Sequence, residues 1–419
     1  MDEKIKDYIE GHRDEMIGFL KELIESPSSD GKDTKAQEVV RRRLEELGFA
    51  TDVFRIDDRA RECPDYCEPD IEYAAGAYNV VGTKKGRSER SLMLFGHIDT
   101  ESEDYFGSFE DPYLAQEKDG KIYGLGAADD KGGIAMMLEA LKAAGEIAGE
   151  PDYDLTVLSI LGKHGGAFGT LSAMMKGYSG KDSIYIHPAE TGHGFQEIKN
   201  ISLGTLDMKL TVNGKPGILH DDLSEGVNAN LIMAEAIKIL EAYNKRKRKE
   251  RVFDFGSFKG QPSFILNIGS VISDGAYGTV CEKAECLFRC RFFFPLTGDE
   301  VFSEIQTLLE DELDADWVLE KGQRRAEPAM VANEDGFVRF IESSIEEVEG
   351  KQEFIHQYHG GSDIRFPILY GGSRCVGIGP YCQLPKQGSG AREWIDVGDY
   401  LKGIAILTTI LLKYGKEDL

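Results

Sequence analysis

The chain has 419 residues, of which 41% are hydrophobic and 29% are charged, and its formal net charge is −25 at pH 7. This length and composition predict a soluble globular protein of two or three domains. The negative charge argues against nucleic acid or an anionic membrane as a partner, because both would repel the chain. The seven cysteines are scattered without a CxxC pair, and the first residues form no apolar signal segment. Both observations predict reduced thiols and a cytoplasmic location.

Two helices and two strands are predicted ahead of the first chemically informative motif, at residues 3–25, 34–47, 50–56 and 77–82. The segment 57–74 has the polar, acidic character of an inserted loop. Because it carries Cys63 and Cys67 four residues apart, a second zinc site there is a minor alternative.

The first motif is Gly96-His97-Ile98-Asp99-Thr100, which follows the apolar run at residues 91–95. An apolar run that ends in histidine and aspartate is typical of a buried strand with polar side chains at its carboxyl end. Open α/β sheets bind their ligands at that end. His97 and Asp99 share one side of an extended strand, which suits a metal ligand and an orienting neighbour. A histidine satisfied by hydrogen bonds at a strand end is the simpler alternative.

The second motif is the glycine-rich turn at residues 124–133, which runs into a helix beginning near Ile134. Such turns often bind phosphate. Here no GKS or GKT follows, and the adjacent carboxylates of Asp129 and Asp130 would repel phosphate. A carboxylate at a helix N-terminus is stabilised by the helix dipole and is well placed to hold a cation.

Two more apolar strands end in polar residues. The strand predicted at 155–161 is followed by Lys163 and His164, and the strand at 183–186 by the segment His187-Pro188-Ala189-Glu190-Thr191. Parallel strand ends converge on one crevice of a sheet. The repetition therefore predicts a single site more strongly than any one motif does.

From residue 204 the pattern changes to a β-α-β-β-α order, with elements predicted at 205–212, 229–243, 263–271, 283–293 and 298–313. The basic run at residues 245–249 is interpreted as the frayed, solvated end of a helix. After about residue 323 the α/β pattern returns. We therefore predict an α/β domain of residues 1–203 and 323–419, interrupted by a small α+β domain of residues 204–322.

Together these pieces resemble the co-catalytic zinc amidohydrolase and peptidase family, which includes acetylornithine deacetylase, succinyl-diaminopimelate desuccinylase, aminoacylase and glutamate carboxypeptidase. The motifs at 96–100 and 124–133 look like its two signature motifs, and Gly226-Val227-Asn228-Ala229, the stretch 291–298 and the run 360–365 also match. The resemblance implies a zinc-exopeptidase-like mixed-sheet α/β catalytic domain with an inserted α+β lid. It also implies a homodimer formed through the lid.

The resemblance assigns the first metal ion to His97, which Asp99 would orient. Asp129 would bridge two metal ions. The third ligand of the first ion is expected in the segment 187–191. The family uses a carboxylate there, which favours Glu190, and an alternative alignment places His187 at the same position.

On the substrate side, the resemblance implies that Arg365 holds a substrate carboxylate through a bidentate fork, together with Gly361 and Ser362 of the same motif. His220 in the lid would help to stabilise the oxyanion.

Three positions depart from the family pattern. Lys163 and His164 stand where the family has a glutamate general base and a glutamate ligand of the second metal. Ser389, four residues before Glu393, replaces the last ligand histidine. His164 is the one substitute available for the second metal, so one zinc ion is expected, with cobalt or manganese as alternatives. A lysine takes a proton only if its pKa falls toward 7; otherwise it acts as an electrophile or replaces the charge of the missing ion.

The sequence thus predicts a metal-dependent hydrolase that cleaves the amide bond of a small N-acyl amino acid or dipeptide. Its substrate is expected to carry a carboxylate. The alternative is a catalytically silent or repurposed relative that binds a small carboxylated ligand or performs non-hydrolytic chemistry.

Overall fold

The computed structural model describes residues 2–29, 34–67, 77–103, 110–163, 166–189, 192–217, 226–360, 362–383 and 392–417. The described residues fall into two compact units. The first is formed by Met1–Ile201, Met330–Tyr358 and Asp363–Leu419, and the second by Ser202–Ala329 and His359–Ser362.

The elements before residue 190 are α1 (Glu3–Ile24), α2 (Lys35–Glu46), β1 (Ala50–Phe54), α3 (Asp58–Arg61), β2 (Asn79–Lys84), β3 (Ser91–His97), β4 (Gln116–Lys118), β5 (Lys121–Tyr123), α4 (Lys131–Ala148), β6 (Asp154–Ile160), α5 (Phe168–Met175) and β7 (Asp182–Ile186). The middle of the chain forms β8 (Glu197–Asn213), α6 (Ala229–Glu250), β9 (Ile265–Ser273), β10 (Lys283–Phe292), α7 (Gly298–Glu312), β11 (Asp316–Ala326) and β12 (Ala329–Met330). The remaining elements are α8 (Gly336–Glu349), β13 (Ile355–Gly360), α9 (Arg365–Tyr370), β14 (Arg374–Ile378), β15 (Cys382–Gln383), β16 (Trp394–Asp396) and α10 (Val397–Lys413).

The sheet of the first unit runs β1-β2-β6-β3-β7-β14, with the last four strands parallel. The central strands are apolar on both sides, because helices cover both faces. Leu92 and Leu94 of β3 pack into the core that includes α1, α4 and α10, whereas Met93 and Phe95 pack into the core that includes α5 and α9. The predicted α/β fold class is confirmed, and β3, β6 and β7 end at the same edge of the sheet.

In the second unit, β10 and β11 pair with β8, and β9 pairs with β10. Helices α6 and α7 cover one face of this sheet.

Residues 245–249 form the C-terminal end of a helix, as predicted, but this end is not frayed, because α6 continues to Glu250. The basic side chains are not all solvated: Lys247 pairs with Glu304 of α7 at 2.5 Å, and the Tyr243 hydroxyl donates to the same carboxylate at 2.7 Å. These contacts join the end of α6 to α7.

None of the described helices combines the length and the apolarity needed to cross a lipid bilayer. All seven cysteines are free thiols. Among the described residues, neither Cys63 nor Cys67 belongs to a group of side chains that could hold a metal ion.

Candidate metal centre

Three side chains meet where the parallel strands end. His97 closes β3, Asp129 lies in the turn before α4, and His187 directly follows β7. One ligand atom from each lies within 4.8 Å of the others. The Asp129 Oδ1 atom is 2.7 Å from His97 Nε2 and 3.3 Å from His187 Nε2. The predicted convergence of strand ends therefore brings two imidazoles onto one carboxylate.

The pairing of β3 with β7 sets the spacing of the two histidines. Phe95 lies opposite Tyr185, and their rings stack with centroids 4.8 Å apart. Two residues further along the same face, the rings of His97 and His187 are 5.7 Å apart. The two imidazoles thus extend a layer of aromatic rings.

His97 is fully buried, and its two ring nitrogens face different partners. Nδ1 donates to the main-chain carbonyl of Asp99 at 3.0 Å, with the Asp99 carboxylate at 3.6 Å, while Nε2 faces Asp129. Burial alone would lower the pKa of His97, but Asp129 and the hydrogen bonds outweigh it and raise the pKa well above its usual value. Asp129 and these hydrogen bonds thus favour the protonated form of His97 when no metal is bound.

The pKa values of Asp129 and His187 are lowered, whereas that of His97 is raised. Burial disfavours the charge of Asp129, but the histidines outweigh it and hold its pKa well below the usual range. The pKa of His187 is well below its ordinary value, because the ring is buried and faces Lys199. The electrostatics thus favour the ionised form of Asp129, the protonated form of His97 and the neutral form of His187.

Lys199 contacts the far side of His187. Its ammonium lies 2.9 Å from His187 Nδ1 and also donates to the carbonyl of Pro188. Gly377 of β14 lies opposite Lys199, and a Cβ on this glycine would lie only 3.1 Å from the Lys199 Cβ. The missing side chain leaves room for the lysine to reach the histidine.

The turn that carries Asp129 is held by Glu393. Its buried carboxylate accepts hydrogen bonds from the main-chain N–H groups of Gly126, Ala128 and Asp129, all at 2.8 Å. Burial raises the pKa of Glu393 to about 7, although these hydrogen bonds oppose the shift. Glu393 therefore fixes the main chain of the turn.

Asp130 ties the same turn to β3. It accepts the main-chain N–H of His97 at 3.2 Å. A Cβ on Gly133 would lie 2.2 Å from its Oδ1, so only glycine fits there. Burial raises the pKa of Asp130 well above its usual value.

Lys163 forms an ion pair instead of standing alone. Its Nζ is 3.3 Å from Oδ1 of Asp363, which is fully buried. The other oxygen of Asp363 accepts the hydroxyl of Thr170 at 2.6 Å. The Nζ also lies 5.8 Å from the centroid of the Tyr185 ring.

Arg365 and Ser362 are both buried. The guanidinium of Arg365 stacks on the Phe366 ring, with Cζ 3.9 Å from the ring centroid. Burial lowers the pKa of Arg365, and the nearby carboxylates of Asp363 and Asp65 oppose this shift. The side chain predicted to hold a substrate carboxylate thus lies in an acidic interior.

Five residues singled out by the sequence lie outside the described residues: His164, Glu190, His220, Gly361 and Ser389. The choice between Glu190 and His187 as third ligand therefore remains a prediction, while His187 is the one seen beside Asp129.

The side chains of His97, Asp129 and His187 offer the kinds of donor atom that bind a divalent metal ion. One carboxylate and two imidazoles are ordinary zinc ligands, and a ligand histidine usually donates its second N–H to an acceptor. His97 meets that condition through Asp99. His187 does so only if the contact from Lys199 changes, because an ammonium is a donor. His97 and Asp129 thus fit a metal as they stand.

Sequence reasoning missed Lys199, Tyr185, Asp363 and the role of Glu393. Lys199 sits in a strand of mixed composition, and Tyr185 reads as an ordinary core aromatic. The signal that was available for Asp363 and Glu393 is their place in motifs of the resembled family.

Comparisons with known proteins show which proteins this chain is similar to. N-formyl-4-amino-5-aminomethyl-2-methylpyrimidine deformylase of Bacillus subtilis (strain 168) is 27% identical over 328 residues, covering 74% of this chain and 71% of that protein. Succinyl-diaminopimelate desuccinylase of Methylobacterium radiotolerans is 26% identical over 362 residues, covering 84% and 86%. The crystal structure of aminopeptidase PepT from Bacillus cereus ATCC 10987 shares the fold with a TM-score of 0.73, at 19% identity and covering 96% and 98%.

Residues 93–413 match the model of peptidase family M20/M25/M40, a span that includes the candidate metal centre. The family resemblance seen in the sequence motifs is confirmed, and members of this family depend on metal ions. The chain therefore belongs to peptidase family M20/M25/M40.

Proposed function

We propose that this protein is a metal-dependent amidohydrolase that cleaves the amide bond of a small N-acyl amino acid or dipeptide. The observation that carries the proposal is the convergence of His97, Asp129 and His187 within 4.8 Å at the ends of parallel strands. Two of the relatives are a deformylase and a desuccinylase, and each removes a small acyl group by name.

The metal site is proposed to hold one zinc ion, with cobalt or manganese as alternatives. His97 and Asp129 would hold it, with His187 or Glu190 as the third ligand and His164 as the remaining candidate for a second ion. When bound, the ion would supply a Lewis acid that polarises the amide carbonyl. Asp99 orients His97, and Glu393 fixes the turn that carries Asp129.

Substrate binding is proposed to use Arg365, Gly361 and Ser362 for the carboxylate of the substrate. His220 would stabilise the oxyanion. Guanidinium groups bind carboxylates through two parallel hydrogen bonds, which would fix the amide with respect to the metal.

A second candidate function follows from the ion pair of Lys163 with Asp363. Position 163 carries an amine paired with Asp363 in place of a carboxylate base, so hydrolysis by the usual route would lack its base. In this candidate the protein binds a small carboxylated ligand or performs non-hydrolytic chemistry.

Metal analysis combined with a substrate panel tests the proposal. We expect protein purified without chelator to hold about one zinc ion per chain and to release product from N-formyl, N-acetyl or N-succinyl amino acids or from dipeptides. His97→Ala should lose the zinc and the activity. His12→Ala is the matched control, because His12 contacts Tyr8 on α1. If zinc-replete wild-type protein turns over no compound of the panel, the hydrolase proposal is rejected in favour of the second candidate function.

We also propose a homodimer formed through the second unit. β9 lies at the end of the described sheet order, and its Val271 and Ile272 are 48% and 54% exposed. An edge strand with exposed apolar side chains is suited to pairing with another chain.

A further inference from the structure

We propose that Lys163 acts as a fixed cation that binds the acyl oxygen of the substrate, and that Asp363 and Tyr185 are the residues that position it. The inference rests on the proposed function, which it deepens by giving Lys163 a role other than proton acceptor. Asp363 and Tyr185 both contact the lysine.

The first contact is the ion pair with Asp363. The lysine side chain is 12% exposed and the aspartate is fully buried, with 3.3 Å between Nζ and Oδ1. Thr170 donates to the other carboxylate oxygen at 2.6 Å, so the aspartate cannot turn away without losing a buried hydrogen bond. A buried carboxylate held in this way fixes the position of its partner lysine.

The second contact is the aromatic face of Tyr185. The Lys163 ammonium lies 5.8 Å from its centroid, within the range of a cation–π interaction. The ring is itself immobile, because it is fully buried and stacked on Phe95 at 4.8 Å. The buried ring of Tyr185 thus limits the positions that the Lys163 ammonium can occupy.

Tyr185 also links Lys163 to the metal centre. Its ring centroid lies 4.9 Å from that of His187, whose Nε2 faces Asp129. One aromatic side chain therefore contacts both the candidate ligand and the lysine. This places the fixed charge beside the cluster where the substrate's acyl group is proposed to bind.

The chemistry of the ammonium defines its ligand. It has three N–H donors and no acceptor, and within the described part of the chain Asp363 is its ion-pair partner. The remaining donors suit an oxygen that is partly or fully negative, such as an amide carbonyl or a carboxylate. No proton moves to or from Lys163 in this role.

Two substitutions separate a fixed cation from a proton acceptor. Lys163→Arg keeps the positive charge, but a guanidinium does not lose its proton in proteins. Lys163→Met removes the charge. We expect Lys163→Met to lower kcat by about 10²–10³, the usual effect of removing one charge-stabilising donor, and Lys163→Arg to stay within about tenfold of wild type. An arginine variant as inactive as the methionine variant, together with a fully active Asp363→Asn variant, would overturn the proposal.

The positioning roles have their own controls. Tyr185→Phe keeps the aromatic face and should be nearly silent, whereas Tyr185→Leu should lower kcat by about 3- to 30-fold with little change in KM. The double variant Lys163→Met/Asp363→Asn removes both charges. It should regain the unfolding midpoint lost by the single variants without regaining kcat. Recovery of both would assign the pair a structural role alone.

A measurement of acetate binding tests the role of Lys163 without depending on hydrolase activity. Isothermal titration of wild-type protein with acetate should give a measurable Kd that weakens about tenfold in Lys163→Met and is preserved in Lys163→Arg. This result would support the fixed cation even if no substrate of the panel were cleaved. Equal binding by wild type and Lys163→Met, or no binding by wild type, would overturn it.

Discussion

A proton and a metal ion compete for one atom, the Nε2 nitrogen of His97. Asp129 faces this nitrogen at 2.7 Å, and Asp99 holds the opposite nitrogen as a donor. Asp129 raises the pKa of His97 well above its usual value, which favours a proton on both ring nitrogens in the metal-free protein. A metal must displace the proton on Nε2 before His97 becomes a ligand.

Zinc binding is therefore expected to depend on pH with a definite sign. The charged ring stabilises the metal-free fold fully below its unfolded pKa of about 6.5, and this contribution is lost as pH rises through the higher folded value. Zinc should accordingly bind more tightly as pH rises, by roughly tenfold per unit below the folded pKa. Isothermal titration at pH 7 in buffers of different ionisation enthalpy should show about one proton released per zinc. An affinity that does not change with pH would contradict this expectation.

Some site residues are marked by a local sequence pattern and could be predicted. Others are recognised only by contacts that form in the folded protein. His97 and Asp129 were predictable, because an apolar strand and a glycine-rich turn mark them locally. The partners of Lys163 and His187 were not, since Asp363 is 200 positions away in the chain and Lys199 reaches His187 only across Gly377 of another strand. Side chains that act through tertiary contacts leave no local pattern.

At the scale of elements, the start of α4 is the most constrained part of the site. Glu393, just before β16, accepts three main-chain hydrogen bonds from the preceding turn, and Asp130 packs against Gly133 in the first turn of the helix. Two segments about 260 positions apart therefore define the position of Asp129.

Replacing Glu393 with glutamine should test this constraint. One carboxylate oxygen would become an NH2 donor that faces N–H groups, leaving at least one of them without an acceptor. We expect the free energy of unfolding in urea to fall by about 1–3 kcal/mol for each unpaired N–H group. Zinc affinity should fall as well, because the turn that carries Asp129 is loosened. The exposed Glu110→Gln is the matched control, and an unchanged unfolding midpoint for Glu393→Gln would argue against the role.

The strand and helix pattern was largely predictable at this scale, because apolar periodicity reports which faces are buried. The strand β11 (Asp316–Ala326) was not predicted, and at α6 the charge pattern suggested a frayed end. The pairing of Lys247 with Glu304 on α7 depends on two helices that meet only in the folded protein.

At the scale of the whole molecule, the mixed α/β class and the family were predictable from motif order, whereas the assembly is still a proposal. The outer strand β9 ends the described sheet order of the second unit and presents exposed apolar side chains. This strand is the place to test self-association.

Ile272→Asp should convert a dimer to a monomer in sedimentation velocity at micromolar concentration, because it places a charge on the proposed contact. Val53→Asp is the control, since Val53 is 42% exposed on β1 of the first unit. Wild-type protein that sediments as one chain would contradict the proposed assembly.

The stacked layer of Phe95 and Tyr185 has one more consequence. The hydrogen-bonded ladder of β3 and β7 sets the distance between the two imidazoles. This distance is therefore fixed during folding, before any ion binds. Loading an ion would then require loss of a proton from His97 and, where His187 is a ligand, a change in its contact with Lys199, with hardly any rearrangement of the main chain. The empty and loaded proteins should consequently superimpose, and discrimination among ions should appear as a difference in affinity and not as a change of shape.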